Sequence, residues 1–129
     1  MESKDEQYKL LVKALLPEEI FNYFEIVQVI VNPTTIDVHL DELNLPSSEY
    51  KDIKLISKGF YPSVIVQDFP LRERAMFLHV RRRKWQVEST GDIVSNKWDT
   101  TAKGTRYTKG FAAFLKEIFG QLPPEQQKP

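Results

Sequence analysis

The sequence predicts an α+β fold: antiparallel β hairpins forming a sheet, with N-terminal helices and a C-terminal helix. Three patterns carry that expectation. A helical apolar period opens the chain, a two-residue period rich in β-branched residues fills its middle, and a helical period returns near Phe111.

Ser3-Lys4-Asp5-Glu6 fits a capping box, and Tyr8, Leu11, Val12 and Leu15 recur at i, i+3, i+4 and i+7. Pro17 ends that helix, because proline disfavours the helical conformation at Leu16, and suits the first position of a second short helix from Glu18 to Phe24. Glu25, Val27, Val29 and Val31 then alternate with Ile26, Gln28 and Ile30. Turn chemistry at Asn32-Pro33-Thr34-Thr35 leads to Ile36, Val38 and Leu40 alternating with Asp37, His39 and Asp41, a strand with one wet face. A hairpin is the economical reading. Glu42 to Asp52, with Pro46-Ser47-Ser48, reads as a surface loop.

Short strand-like runs follow from Ile53 to Phe60 and from Ser63 to Phe69, broken by Gly59, Pro62 and Pro70. A longer strand is expected from Ala75 to Trp85, then a turn at Glu88-Ser89-Thr90-Gly91-Asp92 and a return strand from Ile93 to Trp98. Thr108 is placed to cap a last helix whose stripe is Phe111, Phe114, Leu115 and Ile118, ended by Gly120 and Pro123-Pro124.

A chain of 129 residues is sized for one domain, taken here as residues 1–121 with a flexible tail at 122–129. Its 18 basic and 18 acidic residues cancel but are segregated. Met1 to Ser57 carries 5 Lys+Arg against 11 Asp+Glu, and Lys58 onward carries 13 against 7. The acidic half, 1–57, and the basic half, 58–121, point either to a polyanion or acidic partner for the basic surface or to charge pairing between the halves. With no cysteine and only His39 and His79 as imidazoles, neither a metal nor another cofactor is expected. No apolar run approaches the roughly 20 residues that span a bilayer, and the mixed-charge N-terminus is unlike a signal peptide, so the expected compartment is the cytoplasm.

Arg81-Arg82-Arg83-Lys84 close the Ala75–Trp85 strand, and alternation puts Arg81 and Arg83 on one face and Arg82 and Lys84 on the other. Burying unpaired cations is costly, so the expectation is that the strand leaves the core as a protruding ribbon. Lys97 on the return arm, Lys103, Arg106 and Lys109 beyond it, and Arg72 and Arg74 before it are the supporting cations. Arginines that chelate phosphate or guanine edges, beside Trp85, Trp98 and Tyr107, suit a nucleic acid. A charged edge strand with core tryptophans would look the same. Asp37 and His39 share a strand face without a nucleophile nearby in sequence, His79 reads as structural, and Asp68, Asp92 and Asp99 sit among turn residues. No enzyme activity is expected.

Gly59-Phe60-Tyr61, Val66-Gln67-Asp68-Phe69-Pro70 and Phe77-Leu78-His79-Val80-Arg81-Arg82-Arg83-Lys84-Trp85 resemble the N-terminal region of bacterial insertion-sequence transposases, in which an aspartate-apolar-proline turn precedes a basic strand ending in an Arg-Arg-aromatic step. Trp98, Gly104-Thr105-Arg106-Tyr107-Thr108 and Phe111-Ala112-Ala113-Phe114-Leu115 look like the continuation in a cysteine-less subgroup, so the likeness covers about Lys58 to Phe119. Leu16-Pro17-Glu18-Glu19-Ile20 and the following hairpin resemble the subgroup less specifically. In the wider family the region is a zinc-ribbon-like module that recognises transposon ends, ahead of a helix-turn-helix and a catalytic domain. Here Gln86-Val87-Glu88 stand where cysteines would, and a clasp of Trp85 and Trp98 is the expected replacement for the metal.

The resemblance implies a non-catalytic DNA-binding module that contacts transposon-end DNA, a duplex, through its basic hairpin. It is encoded either as a separate accessory reading frame or as a truncated piece. The alternative is a protein-interaction module that docks the basic arm on an acidic partner, such as a separately encoded transposase catalytic subunit or a second copy. The sequence leaves the oligomeric state open.

Overall fold

The computed structural model describes residues 4–98 and 108–120. Ser3 of the capping box, Asp99, Lys103, Arg106, Tyr107 and the 122–129 tail lie outside the described residues. The fold is mixed α+β, in the order α1 (Lys4–Leu15), a 3₁₀ turn (Glu18–Asn22), β1 (Phe24–Val31), β2 (Thr35–Glu42), a 3₁₀ turn (Ser48–Tyr50), β3 (Leu55–Phe60), β4 (Val64–Leu71), β5 (Arg74–Arg81), β6 (Arg83–Val87), β7 (Ile93–Val94) and α2 (Lys109–Gly120).

Two sheets result, a four-stranded one in the order β1-β2-β5-β4 and a three-stranded one in the order β3-β6-β7. The first consists of two antiparallel hairpins laid side by side, with β2 and β5 parallel at their junction. In β1 the expected alternation fails, because a bulge between Ile26 and Gln28 shifts the register. Phe24 and Val29, five residues apart, therefore both face the core.

Ile36, Val38 and Leu40 of β2, Met76, Leu78 and Val80 of β5, and Val66 of β4 line the same sheet face. Val12, Leu16, Ile20 and the α2 stripe Phe111, Phe114, Leu115 and Ile118 cover it. Full burial of each such side chain contributes about 1.5–3 kcal/mol before entropy is set against it. The Phe111 N–H donates to the Thr108 hydroxyl at 3.2 Å, so Thr108 caps α2 as its sequence predicts. In α1 the expected stripe is only half right: Tyr8 and Val12 face inward, but Leu11 and Leu15 are 58% and 49% exposed.

The single strand expected from Ala75 to Trp85 is two strands in different sheets, with Arg82 between them. The return strand is also shorter than expected: β7 pairs with β6 only at Trp85–Val94 and Gln86–Ile93. Trp85 and Trp98 do not form one clasp. Trp85 is buried and its Nε1–H donates to Asn44 Oδ1 at 2.8 Å, whereas Trp98 packs on Tyr23, Phe24 and Phe111 in the main core. Among the described residues no helix is long and apolar enough to cross a membrane.

Candidate nucleic-acid interface

The corner at which β5 leaves the first sheet and β6 enters the second holds the four consecutive cations, and the surrounding sequence treats each one differently. Arg81 is the last residue of β5. The parallel ladder sets it beside Asp41 on the face opposite the core, and its Nε–H and Nη2–H donate to the two carboxylate oxygens at 2.7 and 2.6 Å. That carboxylate holds the Arg81 pKa above its ordinary value. The Arg81 side chain is nonetheless 44% exposed.

Arg82 overturns part of the sequence expectation. It is 7% exposed, between the rings of Tyr61 and Phe119 at 5.3 and 5.6 Å, and its Nη2–H donates to Ser95 Oγ at 3.2 Å. Its Nε is buried with no hydrogen-bond partner among the described residues, and burial lowers its pKa. The interior does accept one member of one row, Arg82, because aromatic faces and nearby Glu42 offset the desolvation of a single guanidinium. The four residues therefore form a bent corner, and Arg82 is withdrawn from the expected DNA-contacting set.

Arg83 and Lys84 are partly buried, with side chains on opposite faces of β6. Arg83 is steered by Nε–H to the Glu42 carbonyl at 3.1 Å and by Nη1–H to Ser57 Oγ at 3.1 Å. The Phe60 ring lies 4.2 Å from the Arg81 guanidinium and 4.5 Å from that of Arg83, and Lys84 Nζ lies 5.4 Å from the Tyr61 ring. Phe60 and Tyr61 thus organise the cations as stacking platforms, a role that no spacing rule in the sequence reveals.

Beneath the corner is Glu42, 2% exposed, at the end of β2. Its carboxylate accepts from the Arg83 backbone N–H and from Asn96 Nδ2, each at 2.8 Å. Asn96 also donates to the Leu45 carbonyl at 3.0 Å and accepts from the Ser47 N–H at 2.7 Å, joining the segment that follows β2 to the one that follows β7. Burial raises the Glu42 pKa, against the lowering effect of its hydrogen bonds. Neither Glu42 nor Asn96 carried any sequence signature beyond a lone polar residue.

The remaining predicted cations do not all gather here. Arg72, at φ 61°, and Arg74, whose Nε–H donates to the Asn32 carbonyl at 2.8 Å, lie at the other end of β5. An eight-residue strand at ~3.3 Å per residue puts them roughly 25 Å from the corner. Lys109 begins α2 and is exposed, beside Gly110, whose surroundings include Pro17. Exposed Lys97 follows Asn96 and stays close to the corner in sequence.

The open face of the first sheet carries a second polar group. His79 Nε2 lies 2.8 Å from Asp37 Oδ1, and the His39 and His79 rings stack at 4.4 Å. Burial, then the neighbouring His79, lowers the His39 pKa. Asp37, which shares a strand face with His39, thus pairs with His79, the residue two positions beyond its own ladder partner Phe77. Asp37 Oδ2 also accepts from Asn32 and Thr35. Among the described residues no group of three or more His, Asp or Glu could hold a metal ion. No protein-family profile, curated protein or solved structure matches the chain.

Proposed function

We propose that the chain is a non-catalytic, cytoplasmic DNA-binding module related to the N-terminal region of insertion-sequence transposases, which contacts DNA with the β5–β6 corner. The observation that supports this reading is the pairing of Arg81 and Arg83 on the Phe60 ring, next to Lys84 on Tyr61. Ring packing restricts these cations before any ligand arrives, which lowers the entropy cost of phosphate contact. Four cations at the corner face two carboxylates, Asp41 and Glu42. Arg83 and Lys84 carry the contact, Arg81 contributes through its exposed part, and Lys97 supports it. Arg72, Arg74 and Lys109 serve only a ligand long enough to reach past the corner. Lys103 and Arg106 remain candidates on sequence alone.

The test is fluorescence anisotropy against a random duplex and a single strand, titrated from roughly 50 to 200 mM salt. Salt-steep binding is expected, with Arg83→Ala/Lys84→Ala flattening the slope by about 2 units and Arg82→Met leaving it unchanged. Absence of binding at low salt would refute the reading and favour an acidic protein, such as a separately encoded catalytic subunit, as the corner's partner.

A further inference from the structure

Helix α1 carries a wider apolar stripe than the fold uses. Tyr8 and Val12 pack on the sheet, while Leu10, Leu11 and Leu15 are 59%, 58% and 49% exposed. A surface helix of a globular protein normally turns charge outward, so three outward leucines on twelve residues form a surface without a partner among the described residues. Asp5 and Glu6, both paired with Lys9 at 3.1 and 3.5 Å, lie away from Leu11 and Leu15, while Glu6 stands one turn before Leu10. Lys4 stands two turns before Leu11 on the leucine side.

Past the end of α1 the same surface sinks into a groove of about 980 Å³ between Leu15, Pro17, Ala113 and Phe114 on one side and Phe69 and Met76 of the β4–β5 hairpin on the other. That is the upper end of the size range of small-ligand pockets, roughly 300–1,000 Å³, and accommodates several side chains. The charged residues lining it are Asp68 and Glu117, both acidic. Phe69, on its rim, is 87% exposed.

We infer that this groove receives helix α1 of a second copy of the chain, in a two-fold symmetric dimer. Two observations choose that occupant. The groove is apolar with acidic charges, and the outward face of α1 is apolar with a basic residue, so the two halves of one surface complement each other. Leu15 belongs to both, which places the two-fold axis beside it. Antiparallel α1 helices crossing at Leu15 carry each helix beyond the end of the other and over its groove. Eleven residues at 1.5 Å each take Lys4 of the second copy about 16 Å past the axis, comparable with the length of α2. The symmetry makes the contact twice, as a helix-in-groove interface.

Light scattering on the size-separated chain tests this, and it is independent of the DNA reading because the residues involved are not those of the β5–β6 corner. The expected mass is twice the 15.1 kDa of the chain. Leu11→Glu and Leu15→Glu, at exposed positions, are expected to weaken the dimer by about tenfold or more with an unchanged circular dichroism spectrum. Lys4→Glu weakens it and Asp68→Lys in the same chain restores it. A wild-type monomer at every loading concentration, or a dimer indifferent to Leu11→Glu and Leu15→Glu, overturns the inference. A monomer that captures an amphipathic helix from another protein also overturns it.

Discussion

Replacing Glu42 by alanine tests whether the corner is built on a buried carboxylate. The change removes the acceptor for the Arg83 N–H and one acceptor for Asn96 Nδ2, both at 2.8 Å. Hydrogen bonds to a charged group contribute about 1.5–3 kcal/mol each. Asn96 keeps its bond to the Leu45 carbonyl, and the desolvation of Glu42 itself is relieved, so the loss falls below the sum of two such bonds. The expected net destabilisation is about 3 kcal/mol. Urea unfolding followed by the fluorescence of Trp85 and Trp98 reads it out, with a midpoint drop of about 1.5 M at a slope of ~2 kcal/mol/M. Glu42→Gln retains the Arg83 contact but sets an amide donor against Asn96, for an intermediate loss of about 1–2 kcal/mol. The pH dependence follows from the raised pKa. As pH falls from neutral the native chain binds this proton before the unfolded chain does, so the Glu42 contribution to stability rises until the ordinary value of 4.5 is reached. Glu42→Gln abolishes that rise. A loss under about 1 kcal/mol for Glu42→Ala, with an unchanged slope, would refute the reasoning.

Arg82→Met removes a cation that offsets the buried Glu42 carboxylate and is expected to cost about 3 kcal/mol in thermal unfolding; a neutral or stabilising result would mean that the desolvation of the guanidinium outweighs its attraction to Glu42. His39→Gln should flatten the acid limb of a Tm-against-pH curve. Because the native pKa lies below the ordinary 6.5, the unfolded chain protonates first and stability is lost from about that pH downward; an unchanged limb would assign the loss to other groups. Trp98→Ala removes a ring packed on Tyr23, Phe24 and Phe111 and is expected to cost about 2–3 kcal/mol in chemical denaturation, whereas no loss would deny that packing a stabilising role.

Local pattern was enough for the elements whose signals are local. The α2 stripe and its Thr108 cap, the β1–β2 hairpin and the Pro17 stop each rest on neighbours within a few residues. The bulge in β1 was hidden because Val27 and Gln28 are both compatible with a regular strand. The break at Arg82 was hidden for a different reason: periodicity correctly showed that two rows of cations conflict with a core, but not that Tyr61 and Phe119 would come together around one of them. Asp41 and Glu42 could not be paired with Arg81 and Arg83 before the parallel β2–β5 junction was known, since some 40 residues separate them. The run of cations was visible in the sequence; the corner that replaces the expected protruding ribbon, and its division into exposed and buried cations, were not.

The parallel junction also bears on how the chain assembles. Both hairpins are local, but β2 meets β5 only after the intervening segment has been made. At 5–20 residues per second, β2 waits roughly 2–8 s for its neighbour during synthesis. Its unpaired edge is a template for other strands throughout that interval. Asp37, His39 and Asp41, alternating with the apolar side chains, place charge or polarity at every second position of that edge, so the residues that later face Phe77, His79 and Arg81 first discourage intermolecular pairing.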